Sequence, residues 1–210
     1  MELDKDKVRI LVADDHAMVR MGLISLLGTV SRFSVVGEAE DGAEAVRLAS
    51  RLRPDIVLMD VMMPKVDGIE ATRRIVENRP ETKVILVTSF SSSDGIVHGL
   101  RAGACGAILK SSDFASLVST ITDVADGKTV VSPEIRQLLA KDPPLGDLSE
   151  RQSEILHSIV RGLYDNDIAQ QLGISVYTVK EHINALFAKI GASNRAEAVA
   201  IALRKHLLKM

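Results

Sequence analysis

Tryptophan is absent from this chain of 210 residues and aromatics make up only 3% of it, so its cores must be filled by aliphatic side chains, alanine and methionine. A single cysteine, Cys105, excludes an internal disulfide and fits a reducing cytosol. No apolar run reaches the roughly 18 residues a membrane helix needs. The opening Met-Glu-Leu-Asp-Lys-Asp-Lys carries no apolar signal. The chain is therefore expected to be soluble and cytoplasmic, with no membrane partner. Charge of one sign is scarce as well. The net charge is −2, and from Asp147 onward eight lysines and arginines stand against seven acids, a tilt too small to mark a nucleic-acid binder by charge alone. With 46% hydrophobic and 26% charged residues, the chain has room for one large globular domain or two modest ones.

What is present is organised around Arg53-Pro-Asp-Ile-Val-Leu-Met-Asp-Val-Met-Met-Pro-Lys-Val-Asp-Gly68. Ile56 to Met59 is a short apolar run beside a proline, the pattern of a strand buried on both faces. Asp60 stands at its carboxyl end, and Pro64 and Gly68 break the chain before a helical pattern begins. Similar strands are predicted at Val8–Ala13, Phe33–Val36, Val84–Val87 and Ala107–Leu109. Between and after them lie helical spacings: Val19, Leu23, Leu26 and Leu27; Ala45, Val46, Ala49 and Leu52; Ile69, Thr72, Ile75 and Val76; Ile96, Val97 and Leu100; Leu117, Val118, Ile121 and Val124. Five strand–helix alternations with short connections imply right-handed crossovers, hence a doubly wound, five-stranded parallel α/β sheet of flavodoxin-like type.

In such a sheet every strand's carboxyl end faces one crevice. The residues delivered there are Asp14, Asp15, Asp60, Thr88 and Lys110. Three carboxylates in one place repel unless a cation screens them. Oxygen-only ligands select a hard ion, Mg2+ above all. A phosphoryl group approaching Asp60 would meet the metal on one side and Lys110 and Thr88 on the other, with Asp60 as carboxylate nucleophile. The competing reading is a purely structural ion-pair network.

Residues 8 to about 126 resemble the receiver domain of a two-component response regulator, with Asp14-Asp15, Asp60, Thr88 and Lys110 at that family's acidic pair, phosphoacceptor, switch hydroxyl and lysine. The resemblance implies that Asp15, Asp60 and the Met62 backbone carbonyl ligate Mg2+, with Asp14 acting through water. It also implies a sensor histidine kinase as phosphoryl donor. Two positions depart from the family: Ser111 follows the lysine where proline is common, and Ala107 stands where an aromatic switch residue is usual. Relay would then be weaker or fall to another side chain such as Phe90. Met62 and Phe90 flank the site with apolar bulk that should slow attack by water.

The joint follows. Ser132-Pro133-Glu134 is a helix start, and a short helix through Ile135, Leu138 and Leu139 should precede the semi-stiff Lys141–Asp147 tether. This places a receiver domain at 1–126, a linker with a short helix at 127–146, and a second domain at 147–210.

That second domain reads as four helices. Ser149-Glu-Arg-Gln152 is a capping box. Asp165 opens a second helix that Gly173 stops, and Ser175 caps a third, with Val179, Ile183, Leu186 and Ile190 as its apolar stripe. Asn194 caps the last. Two short helices joined by a glycine turn read as helix-turn-helix. The stripe leaves Tyr177, Lys180, Glu181 and Asn184 outward, with Thr178 and His182 at the flanks. Ile168-Ala169, Leu172-Gly-Ile-Ser175, Thr178-Val-Lys180, His182, Lys189-Ile-Gly191 and Arg195 resemble the LuxR/NarL-type DNA-binding domain. That likeness implies that Lys180, Glu181 and Asn184 face bases while Thr178 and Lys189 grip phosphates. Tyr164-Asp-Asn-Asp167 departs from it, placing acids where Ser-Asn and a cation are usual.

Together the halves predict a DNA-binding transcriptional response regulator, switched by phosphorylation of Asp60 and dimeric when phosphorylated. It would be a phosphoacceptor and not an enzyme with turnover. An orphan regulator with a receiver fold but no phosphorylation is the alternative, suggested by Ala107. A phosphatase of the haloacid-dehalogenase kind needs a second acid where Met62 stands. A small-molecule sensor on the same DNA-binding domain would have no use for the acidic pair and Lys110.

Overall fold

The computed structural model describes residues 7–89, 93–141, 144–145, 148–205 and 207. The chain forms two compact units, Met1–Phe90 with Gly95–Asp142, and Ser91–Asp94 with Pro143–Met210. Among the described residues no helix is long and apolar enough to cross a membrane.

The first unit alternates strands and helices as the periodicity predicts: β1 Val8–Ala13, α1 Ala17–Leu27, β2 Phe33–Ala39, α2 Gly42–Leu52, β3 Ile56–Asp60, α3 Gly68–Asn78, β4 Lys83–Thr88, α4 Ser93–Arg101, β5 Gly106–Leu109 and α5 Phe114–Ala125. All strand pairs are parallel, in the order β2-β1-β3-β4-β5-β6. The sheet therefore has six strands, not the five expected. The extra one, β6, is only Val130–Val131, which pairs with Gly106 and Ala107 of β5. Two residues are too few to leave a readable alternation, which is why the pattern missed it. β2 also runs three residues past Val36.

Side chains alternate across the sheet into two aliphatic cores. Leu11, Val57, Met59, Val84 and Leu86 pack on one face with Ala45 and Leu48 of α2, Ala71 and Ile75 of α3, and Ile135. Ile10, Val12, Ile56, Leu58, Ile85, Val87 and Ile108 fill the other, with Leu27 of α1 and Leu117, Ile121 and Val124 of α5. Asp41, Asp67 and Asp113 cap α2, α3 and α5, each accepting from the backbone N–H three residues on.

The segment expected as a linker divides. Helix α6, Pro133–Lys141, starts where Ser132-Pro133 predicts it, but Ile135 is fully buried in the first unit's core, with Leu138 and Leu139 packed against it. Ala107, also fully buried, belongs to the same cluster. A small residue there fits a sheet edge that β6 and α6 cover.

Glycine use in α1 supplies a simple stability test. Gly22 sits mid-helix, exposed, with nothing within 4 Å of where a Cβ would stand. Gly22→Ala is expected to stabilise the protein by about 0.5–1 kcal/mol, because alanine reduces the backbone entropy lost on folding. Thermal unfolding followed by circular dichroism should show a Tm higher by roughly 2 °C or more.

The second unit is helical: α7 Glu150–Val160, α8 Asp165–Leu172, α9 Val176–Ile190 and α10 Arg195–Arg204. Its separate core is built on Ile155, Leu156, Ile159, Ile168, Val179, Ile183, Leu186 and Ile201. The Ser149 capping box forms as expected, with Gln152 returning the bond to the Ser149 N–H. Gly173 and Gly191 end α8 and α9 in the left-handed conformation at φ 64° and 75°, where glycine avoids the Cβ penalty.

Candidate functional site: an acidic pocket and an exposed helix face

Strand parity brings the charged residues together. Asp14 continues the alternation of Ile10 and Val12, Asp60 that of Ile56 and Leu58, and Lys110 that of Ile108, all on the same face of the sheet. β1 and β3 are neighbours whose connections leave in opposite directions along the sheet, and crevices open at such reversals. At this edge Lys110 Nζ stands 2.7 Å from Asp60 Oδ2 and 2.7 Å from Asp14 Oδ2. The carboxylates are nearly inaccessible, at 4% and 2% side-chain exposure. The bond to Asp60 is a directed hydrogen bond. Toward Asp14 the same ammonium stands equally close to the buried Oδ2, so Lys110 pairs with both acids at once.

Burial pushes the Asp60 carboxyl above the usual carboxylate range; the Lys110 hydrogen bond and charge pull it back, and the Asp14 charge adds to the rise. Burial also works to lower the Lys110 pKa, but Asp14 and Asp60 together outweigh it and hold the ammonium above its ordinary value. A pocket with two buried acids and one buried cation is thus short of positive charge. Asp15, one residue along, is a third of the way exposed and completes the acidic group. Ligand atoms of Asp14, Asp15, His16 and Asp60 all lie within 4.8 Å of one another. Carboxylate oxygens in excess of the one buried ammonium fit a hard divalent cation.

The remaining expected residues are placed less directly. Met62 lies two residues past Asp60, half exposed, and its N–H donates to Asp60 Oδ1 at 3.3 Å. Thr88 is buried, but it continues the opposite alternation, that of Val84 and Leu86. It is tied to the cluster through its backbone carbonyl, which accepts from the Lys110 N–H at 2.7 Å. Phe90 lies outside the described residues.

Neighbouring loops hold the pocket in shape. The Gly42 N–H donates to the Val66 carbonyl at 3.1 Å, and Lys65, itself left-handed at φ 65°, pairs with the Asp41 carboxylate at 2.5 Å. That bond from Lys65 holds the Asp41 carboxyl below the usual range. Gly68 packs its backbone on Asp60: a Cβ there would stand 1.9 Å from the Asp60 carbonyl oxygen. The sequence reading missed His16. Its Nδ1 is 2.7 Å from Asp15 Oδ1, and its N–H donates to Asp14 Oδ1 at 2.8 Å. The signal was available, since an imidazole directly follows two acids.

In the second unit, α9 buries Val179, Ile183, Leu186 and Ile190 and exposes Tyr177, Lys180, Glu181, Asn184 and Lys189, with Thr178 and His182 half-buried at the edges. This is the division the apolar stripe predicts. The Thr178 hydroxyl is engaged with Ser175 Oγ, 2.9 Å away, so it helps cap α9. Lys189 Nζ lies 3.5 Å from Gln152 Oε1. The departure at Tyr164–Asp167 is locally stable. Asp167 accepts from the Tyr164 N–H, and Arg195 bonds both Asp165 and the Leu163 carbonyl.

Known proteins agree with both halves. Residues 10–122 match the response regulator receiver domain, and residues 147–202 match the bacterial regulatory proteins of the luxR family. The chain is 37% identical to the transcriptional regulatory protein LiaR of Bacillus subtilis over 209 residues, covering 96% of this chain and 99% of that one. It is 35% identical to the response regulator protein VraR of Staphylococcus aureus over 207 residues, covering 96% and 99%. Its fold is similar to that of RcsB from Salmonella enterica serovar Typhimurium, solved bound to the promoter P1flhDC in the presence of the phosphomimetic BeF3-. That similarity has a TM-score of 0.72 and 25% identity over 95% of this chain and 99% of the other. Two domains matched in order along nearly the full length leave one conclusion: the chain belongs to the LuxR-family response regulators, two-component transcriptional regulators that join a receiver to a helix-turn-helix DNA-binding domain.

Proposed function

We propose that Asp60 is the phosphoacceptor and that its occupancy controls DNA binding by the second domain. The observation that carries this is Lys110 Nζ at 2.7 Å from both Asp60 and Asp14 in a buried pocket. A sensor histidine kinase is the proposed donor. An Asp60 carboxylate oxygen attacks phosphorus, the bond to the donor's imidazole nitrogen or acyl oxygen breaks, and the leaving group departs with the electron pair. Lys110 then faces the transferred oxygens as a fixed positive charge. Asp14, Asp15, Asp60 and the Met62 carbonyl would hold Mg2+, with Asp14 acting through water. When bound, the ion neutralises charge on the phosphoryl oxygens. Asp60 is thus a group that is loaded and slowly hydrolysed, with no separate substrate turned over. Work in the cytoplasm is consistent with the single cysteine.

Phosphorylated Asp60 is proposed to draw Thr88 inward, shift the surface of β4–α4 and β5–α5, and favour a homodimer. Two-fold symmetry then sets half-sites about one helical turn, roughly 10 base pairs, apart. A gel-shift titration with and without acetyl phosphate and Mg2+ tests this. The phosphorylated protein should bind its operator about tenfold more tightly, a coupling of about 1.4 kcal/mol; equal affinities would remove the switch.

Lys180, Glu181 and Asn184 are the proposed base-facing residues, with Thr178 and Lys189 on phosphates. Exposed Lys180 suits a guanine edge, whereas Glu181 accepts from a cytosine amine. Lys180→Ala should cost about 1–3 kcal/mol of specific binding and relax preference at one base pair. Lys189→Ala should weaken binding to all sequences alike and lower the salt slope by about 1. Fluorescence anisotropy over a salt series, on specific and scrambled duplexes, distinguishes the two.

A further inference from the structure

His16 stands beside the acidic pocket, and the phosphoacceptor scheme gives it no task. It occupies the N-cap position of α1, yet its side chain makes no capping bond there. Instead its Nδ1 turns to the acids, 2.7 Å from Asp15 Oδ1 and 3.5 Å from Asp14 Oδ1. Its backbone N–H anchors it to Asp14 Oδ1 at 2.8 Å, while the ring is two-thirds exposed.

These spacings are those of a coordination sphere. An octahedral ion with bonds near 2.1 Å holds adjacent ligand atoms about 3 Å apart and opposite ones about 4.2 Å apart. The imidazole stands at an adjacent-vertex distance from Asp15, and the ligand atoms of the four residues all lie within 4.8 Å of one another, near the opposite-vertex distance. Asp14 and Asp60 are both buried and share one ammonium, Lys110, so the pocket holds more negative charge than its own cation balances.

We infer that His16 is a nitrogen ligand of this metal centre and that it widens the site's metal range from Mg2+ to borderline ions such as Mn2+, Co2+ and Ni2+. This rests on the Mg2+ site proposed above. Imidazole adds little affinity for Mg2+, which prefers oxygen and keeps its waters. Its contribution grows along the series toward Ni2+. On ligation Nδ1 faces the ion with its lone pair, the proton sits on Nε2 toward solvent, and Asp15 exchanges its bond to the ring for a bond to the metal.

Isothermal titration of the full chain with Mg2+, Mn2+ and Ni2+, wild type beside His16→Asn and Asp15→Asn, tests this. Asn keeps an oxygen at similar reach, so His16→Asn exchanges the donor atom while sparing the acids. It should weaken Ni2+ by about tenfold or more, weaken Mn2+ less and leave Mg2+ within about twofold. The visible absorption of the Co2+-loaded protein should change in the same variant. Asp15→Asn should weaken all three ions, and excess Mg2+ should displace Ni2+. An unchanged ratio of Ni2+ to Mg2+ affinity in His16→Asn overturns the inference while leaving the Mg2+ site intact. So does Ni2+ binding that neither Asp15→Asn nor excess Mg2+ affects, since it then lies at another histidine. Absence of Mg2+ binding to the wild type overturns the metal centre itself.

Discussion

Asp60→Asn, incubated with acetyl phosphate and Mg2+, is expected to gain no phosphoryl adduct at all, whereas the wild type gains one per chain. Intact-mass spectrometry reads this directly. The asparagine amide keeps the shape of the side chain but has no nucleophilic carboxylate, so the effect is complete rather than graded. Lys110→Met should leave the acceptor in place yet slow its loading by about a hundredfold. The ammonium it removes sits 2.7 Å from Asp60, where charge must be balanced as the phosphoryl group arrives. An adduct of equal extent in Asp60→Asn would place the acceptor elsewhere and end the proposal. A wild type that takes no adduct while still binding its operator would favour the orphan alternative. Asp60→Asn should not unfold the protein. Burial disfavours the Asp60 charge, and Lys110 retains Asp14 as its partner, so melting should occur at or above the wild-type temperature.

Gly68→Ala is expected to be the most destabilising small substitution near the site, by about 3 kcal/mol or more. The reason is steric and local. An added Cβ would stand 1.9 Å from the Asp60 carbonyl oxygen and 3.1 Å from Met59 Cγ, and backbone cannot yield as a flexible side-chain end can. Gly68 also donates its N–H to the Val61 carbonyl at 3.0 Å, so moving it away breaks the turn that carries Met62. Urea unfolding followed by circular dichroism should show the loss as a lower midpoint with the slope unchanged. A melt within about 0.5 kcal/mol of wild type would mean that the loop relaxes freely and that this close approach does not hold the loop after Asp60. Gly22→Ala, of the same chemistry but in open space, is the matched control and should move stability the other way.

The contrast between these two glycines shows what one dimension can carry. Gly68 reads from the sequence as a breaker between a strand and a helix, which is true but explains neither its neighbour nor its cost. Much else was legible. Apolar runs near β1, β3, β4 and β5 placed those strands, because a strand buried on both faces must be apolar throughout. The 3.6-residue stripes in α2, α5 and α9 placed helices and named their buried faces. Ser149, Ser175 and Asn194 announced caps that form where expected.

The order of residues along this chain therefore determined the elements, the two-domain plan, and which charged side chains leave the carboxyl ends of strands. Those are local properties, set by periodicity and by backbone groups that must find partners within a few residues. Only the tertiary structure decided that β6 and α6 close over Ala107, that Lys110 divides itself between Asp14 and Asp60, and that His16 turns to the acids. Each depends on distances between atoms far apart in sequence, or on a rotamer chosen by the surrounding field, and neither leaves a period to read.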